Sequence, residues 1–232
     1  MTCGNLAEFF KSQKNFTEAE MLSKACLMKR IEYLGENHPS VLMSMQSLGD
    51  ILSELGKHAE AEAIHRKCLE KCQQLLGPDH PETLSSLNCL ALTLYHQRKL
   101  EEAEILHKEC LAKRTERLGP DHPNTLDSLT NLALVYNLVN TEKSLHIYQD
   151  VLEKRKKILG EDHPDTLSSI NNLALAYTLL KNFSEAERYH RLCLEKRTAL
   201  LGPDHPATQS SEKALALVLD LAQQETHKEE EK

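Results

Sequence analysis

The sequence predicts an all-α fold, a right-handed α-α superhelix in which helical hairpins stack into a solenoid. Three observations carry that prediction. A six-residue string recurs five times: LGENHP at 34–39, LGPDHP at 76–81 and 118–123, LGEDHP at 159–164 and LGPDHP at 201–206. Its steps are 42, 42, 41 and 42 residues, and a fixed period of this size marks a repeat architecture. Between the strings, apolar residues return every three or four positions, the period of a helix with one greasy face. Aromatic residues are 4% of the chain and Trp is absent, while Leu, Ala, Glu and Lys abound, a balance that favours helix over strand.

Each string reads as a boundary between two helices. The glycines Gly35, Gly77, Gly119, Gly160 and Gly202 suit the left-handed residue that closes a helix, which costs other residues about 1–2 kcal/mol. Asn37, Asp79, Asp121, Asp162 and Asp204 are the expected N-caps of the next helix. The proline then falls in the first turn, where its missing N–H does no harm.

Two amphipathic helices fill each interval. In the second full repeat, Leu84, Leu87, Ala91 and Leu94 line the first helix, a polar break follows at 96–99, and Ala103, Leu106, Cys110 and Leu111 line the second. Glu104/Lys108 and Glu109/Lys113 form i,i+4 pairs outside. Neither stripe can be buried by one helix alone, so hairpins must stack. The expected organisation is a partial repeat at 1–36, complete repeats at 37–78, 79–120, 121–161 and 162–203, a capping helix at 204–223 and a charged tail at 224–232, frayed or disordered. The repeat at 121–161 is one residue short, in the turn at 137–141. There the aromatic seen at Phe16 and Phe183 is lost, and Ser144 replaces the small residue found as Ala61, Ala103 and Ala186. A tighter turn is expected.

Hydrophobic residues are 40% and charged residues 27%, with net charge −7. The chain can bury a core, and no basic run with stacking aromatics favours nucleic acid. No stretch approaches the roughly 20 apolar residues that cross a bilayer, and the opening residues lack a signal-peptide layout. Seven cysteines without paired metal spacing point to reduced thiols and a cytoplasmic location.

The internal residues narrow the architecture. A propeller would need strands and a Trp-Asp signature. A Leu-Ala pair followed by Tyr, then aromatic-x-Glu-Ala-Glu, appears as Leu173-Ala174 with Tyr177 and as Phe183-Ser184-Glu185-Ala186-Glu187. Leu132-Ala133 with Tyr136, and Phe16-Thr17-Glu18-Ala19-Glu20, repeat parts of it. This resembles the tetratricopeptide repeat, in the 42-residue form of kinesin light chains and nephrocystin-like proteins, over about residues 5–222. The resemblance implies a protein-binding scaffold or adaptor.

Candidate chemistry is periodic and therefore structural. His38, His80, His122, His163 and His205 belong to the boundaries, and successive copies lie too far apart to share one ion. His65, His107 and His190 share a place in the second helix, as do Cys26, Cys68, Cys110 and Cys193, where the short repeat has Val151. A place that accepts Cys or Val is a small apolar packing site. Cys3, Cys72 and Cys89 stand apart. The repeated Glu-Ala-Glu suits the helix dipole. Neither enzymatic activity nor a cofactor or metal is expected.

In the arrays this chain resembles, first helices line a concave groove, and an Asn before the Leu-Ala pair holds an extended peptide's backbone; an amide offers donor and acceptor together. That place holds Asn5, Ser47, Cys89, Asn131, Asn172 and Ala214. The resemblance thus implies peptide binding by Asn131 and Asn172, with Asn88 and Asn171 one residue earlier. Register adds Tyr95, Leu134, Asn137, Leu138 and Leu175, and with them Asp50, Glu54, His96, Asp127, Ser168 and Thr178. Light-chain grooves for tryptophan-acidic cargo use basic side chains, whereas these positions offer acids. The expected partner is a protein or peptide, with self-association through the incomplete first repeat as the alternative.

Overall fold

The computed structural model describes residues 9–11, 13 and 15–230. Asn5 and Cys3, singled out above, lie outside them. Among the described residues ten long helices follow one another: α1 Phe16–Leu34, α2 Pro39–Glu54, α3 His58–Leu76, α4 Pro81–His96, α5 Leu100–Leu118, α6 Pro123–Val139, α7 Thr141–Leu159, α8 Pro164–Leu179, α9 Phe183–Leu201 and α10 Pro206–Glu230. They form two compact units, 1–120 and 121–232. In the first, α1 packs on the hairpin α2/α3, which stacks on the hairpin α4/α5. In the second, the hairpins α6/α7 and α8/α9 stack and α10 closes on α9.

The boundaries between repeats work differently from the sequence expectation in two respects. Gly119 has φ 89° and ψ 162°, which is the mirror image of extended backbone rather than the left-handed helical region, and glycine alone populates it freely. The N-cap is the histidine, not the acid. Backbone N–H groups of Ser40, Glu82, Asn124, Asp165 and Ala207 donate to Nδ1 of His38, His80, His122, His163 and His205 at 3.1–3.2 Å. Proline at the next position explains this. It holds the residue before it in extended backbone, with ψ near 139° at His122, which is the cap conformation.

The acid sits one residue too early to reach those amides and instead ties the boundary to the second helix of its own repeat. Lys113 lies 3.4 Å from Asp79, Lys154 3.4 Å from Asp121 and Lys196 2.7 Å from Asp162. Such exposed pairs orient more than they stabilise. Replacing the cap is expected to cost more: His122→Ala should lower stability by about 1 kcal/mol, measured as a shift of the urea midpoint at unchanged slope.

Turns inside the hairpins need one residue at positive φ, filled by Gly56 (72°), Arg98 (64°) and Lys181 (58°). The short repeat has no such residue. Its first helix runs one residue longer than the others, to Val139, and Asn140 alone ends α6 and caps α7, accepting from the Lys143 amide at 3.1 Å. The missing residue is thus the left-handed one, and the turn is tighter, as the shorter spacing implied.

Inside the stack, His65, His107 and His190 are 1%, 0% and 3% exposed. Burial pushes all three imidazoles down, His65 and His107 to about 4. The His65 ring occupies space vacated by Gly49, where a Cβ would stand 2.4 Å from the imidazole. Hairpins are also clamped by arginines near the ends of second helices. Arg30 donates to the Ser40 carbonyl at 3.1 Å and to Ser44. Arg155 donates to the Asp165 carbonyl at 3.2 Å, to Ser169 at 2.8 Å and to Asp127. Arg197 repeats the contact with Ala207 and Ser211 at 3.2 and 2.8 Å.

The C-terminal helix runs past the expected end of the cap, and the tail takes the helical one of its two expected forms. The helix continues through the tail to Glu230 instead of ending near 223. No helix breaker interrupts it, Gln224 donates to Asp220 one turn earlier at 2.8 Å, and Glu225 pairs with Lys181 at 2.8 Å.

Candidate functional site

The candidate residues stand on the first helices of the hairpins, and the two units present different chemistry there. In the first unit, α2 and α4 supply Asp50 and Glu54, then Leu92 and His96, around a cavity of about 260 Å³ that Cys89 and Thr93 also line. Asp50 lies 3.8 Å from Lys11. Burial, reinforced by the Asp50 carboxylate, pushes the Cys89 thiol up to about 12, so it stays protonated and is a poor nucleophile. His96 stacks on His58 with centroids 5.6 Å apart and receives the Tyr95 ring edge-on at 5.3 Å. Burial, then the neighbouring His58, lowers its affinity for a proton. Asn88 and Tyr95 are half-buried on this unit.

In the second unit the same register positions turn apolar. Leu134 and Leu138 stand one turn apart on α6, Leu175 and Leu179 on α8, and Leu217 and Leu221 on α10. Leu138, Leu175, Leu179 and Leu217 are 41%, 39%, 47% and 57% exposed, while Leu134 leans on the core formed by Tyr148, Leu152 and Ile170. Exposed apolar patches on a monomer are a feature of contact surfaces, and these leucines recur at one register on three first helices. Asn131 and Asn172 stand three residues before Leu134 and Leu175, and both are half-buried, as is Asn171. Asn131, Asn171, Asn172, Leu134, Leu138 and Leu175 therefore share one unit, and Asn88 and Tyr95 belong to the other.

One candidate is corrected. Asn137 is 7% exposed and cannot meet a ligand. Its Nδ2 donates to the Tyr148 hydroxyl at 3.1 Å, and its Oδ1 accepts from Ser144 at 2.6 Å. The single-residue turn brings the start of α7 against the end of α6, and the short repeat carries Ser and Tyr where its sisters have Ala and His. Asn137, Ser144 and Tyr148 thus form one buried polar network. Asp127 is engaged by Arg155, and Ser168 and Thr178 donate to carbonyls of their own helices, Pro164 at 2.9 Å and Ala174 at 2.9 Å. Leu179, Leu217 and Leu221 were missed, although extending the register of Leu138 and Leu175 by one repeat reaches Leu179 and Leu217, and one more repeat reaches Leu221.

Comparison with known proteins agrees with this architecture. Family profiles described as tetratricopeptide repeat match residues 2–74, 46–113 and 82–140, and a second set matches 125–165 and 166–207. No curated protein sequence matches. Among solved structures, a kinesin light chain candidate of Podosopora anserina with nearly identical repeats is 24% identical. It covers 86% of this chain and 95% of its own, with TM-score 0.67. BtubC (BKLC) from P. vanneervenii is 21% identical, covers 87% and 80%, and has TM-score 0.67. A Rap protein complexed with Competence and Sporulation Factor is 14% identical, covers 96% and 64%, and has TM-score 0.58. At these identities the likeness speaks for the fold. No helix among the described residues is long and apolar enough to cross a membrane.

Proposed function

The chain belongs to the tetratricopeptide repeat family, a family of protein-interaction scaffolds, and from that premise we propose that its second unit holds a partner peptide against the first helices α6, α8 and α10. The observation that carries this reading is the row of exposed leucines beside two amides in one register. Asn131 and Asn172 satisfy the backbone of the bound segment, each with a donor and an acceptor. Leu134, Leu138 and Leu175, extended by Leu179 and Leu217, take its apolar side chains. The complex of a Rap protein with Competence and Sporulation Factor supports such use of a similar fold. The reading makes the chain a cytoplasmic adaptor without enzymatic activity. Its affinity is near micromolar, about −8 kcal/mol, because a flexible peptide loses freedom on binding.

The test is affinity capture from a lysate with the intact chain and with the Asn131→Ala/Asn172→Ala double variant at equal helicity. A peptide from a captured partner is then titrated against both. Losing two backbone contacts worth about 1 kcal/mol each should weaken binding by more than tenfold. Equal affinity for both forms would reject the amide assignment, and capture of further copies of the chain alone would favour self-association.

A further inference from the structure

One hairpin concentrates sulfur where its sisters do not. In α3, Cys68 and Cys72 lie one helical turn apart, both 1% exposed, and both sit in one buried cluster with Met45 of α2, itself 4% exposed. The sulfurs share a single hydroxyl: Ser86 of α4 lies 3.6 Å from Cys68 and 3.5 Å from Cys72. The place of Cys72 is taken by Arg30, Arg114, Arg155 and Arg197 in the other second helices, and that of Met45 by Leu87, Leu129 and Ile170. A clamping arginine and an aliphatic residue have thus both been exchanged for sulfur, in one cluster, opposite a cysteine common to most repeats.

Packing directions are compatible with convergence. Residues four apart on a helix are neighbours, and a long helical side chain such as Met45 points back toward its own N-terminus. That is where Cys68 meets α2, 3.5 Å from the Leu42 carbonyl. Two thiols and a thioether form a soft donor set of only three sulfurs, suited to monovalent copper rather than to magnesium or calcium, and one donor short of the four that a structural zinc site takes. Among the described residues no three His, Cys, Asp or Glu side chains are grouped to hold a metal, so the hard and borderline cations have no competing site there.

We infer that Cys68, Cys72 and Met45 form a binding site for one soft d10 monovalent cation, with copper(I) as the physiological member of that class. Binding forms two metal–thiolate bonds and one dative bond from the thioether, without change of oxidation state. Each S–H bond that becomes a metal–thiolate bond releases its proton to solvent, two in all. Both sulfurs are buried, so loading requires a transient opening of the hairpin and is slow relative to binding at an exposed thiol.

The repeats themselves supply the test variants. Cys68→Val reproduces Val151, Cys72→Arg reproduces Arg155 and Met45→Leu reproduces Leu87, so each residue is one the array already uses at that place. The reduced full chain is titrated anaerobically with copper(I) against the chromophoric chelator bathocuproine disulfonate. One tightly held equivalent is expected in the parent and in a Cys26→Val control. That equivalent should be lost in Cys68→Val and Cys72→Arg, and held more weakly in Met45→Leu. Two measurements on the parent avoid dependence on folding of the variants. Bound ion should protect the peptide containing Cys68 and Cys72 from alkylation, and X-ray absorption should show sulfur scatterers alone. No competitive binding, binding unchanged in all variants, alkylation of both thiols in the loaded chain, or nitrogen in the coordination shell would each overturn the assignment.

Discussion

Acidification from pH 7 to about 4 is expected to remove roughly 3 kcal/mol of folding stability for each of His65 and His107. Both imidazoles are held neutral by burial, with folded values near 4 against 6.5 when free. The Asp50 carboxylate, 3.8 Å from His65 Nε2, does not offset burial, and Arg114 adds to the effect at His107. As pH falls through 6.5 the unfolded chain takes up protons that the folded chain refuses, so stability falls. Above 6.5 neither state is protonated and nothing changes. Below about 4 both are protonated and the loss stops growing. Glu62, held down to about 2 by Lys99 and other donors, loses its contribution only between about 4.5 and 2 and lies outside this window.

The two units should differ in acid. The first carries two of these histidines, whereas the second carries His190 alone, because Tyr148 fills the corresponding place in the short repeat. Hydrogen exchange read by mass spectrometry at pH 5 should show residues 39–118 opening before residues 123–201. In urea melts, His65→Gln/His107→Gln should flatten the stability profile between pH 6.5 and 4. An unchanged slope in that variant would show that other groups cause the acid loss.

Removal of the Tyr148 side chain should be the most damaging substitution in the second unit. Tyr148 is 1% exposed and the largest fully buried side chain among the described residues. Tyr148→Ala should cost about 3–5 kcal/mol through the cavity it leaves. Tyr148→Phe keeps the ring but strips Asn137 Nδ2 of its partner, and a buried unsatisfied donor costs about 1–3 kcal/mol. Because Ser144 serves the other end of the same amide, Tyr148→Phe and Ser144→Ala should not add. A double-mutant cycle by urea denaturation should return a coupling of at least about 0.5 kcal/mol. Simple additivity would mean that the three side chains do not act as a network.

Much of this was legible without coordinates because a repeat states its period many times. Five copies of the boundary string located the helix ends, and the Cys/Val alternation at Cys68, Cys110, Val151 and Cys193 identified a packing site that the structure does bury. Helical register put Leu134 and Leu175 on one face, and the family resemblance added Asn131 and Asn172 to it. Legibility failed where two neighbouring residue types suited one task, or where one copy broke the pattern. Histidine and aspartate both accept hydrogen bonds, so the boundary string did not say which one caps the helix. Asn137 sits in the register of Tyr95 and Thr178, which are half-buried, and only the shortened turn draws it inside.

The amino-acid sequence by itself determined the helical hairpins and the side of each helix that must be buried, because these depend on local periodicity, glycine and proline. Tertiary structure decided the rest: the capping histidines, the Asn137–Ser144–Tyr148 network, the arginine clamps and the sulfur cluster of Met45, Cys68 and Cys72. Each of these depends on which side chains from different helices meet within a few ångströms. Spacing along the chain sets the face a residue occupies, but the distance to its partner is set only when the hairpins pack.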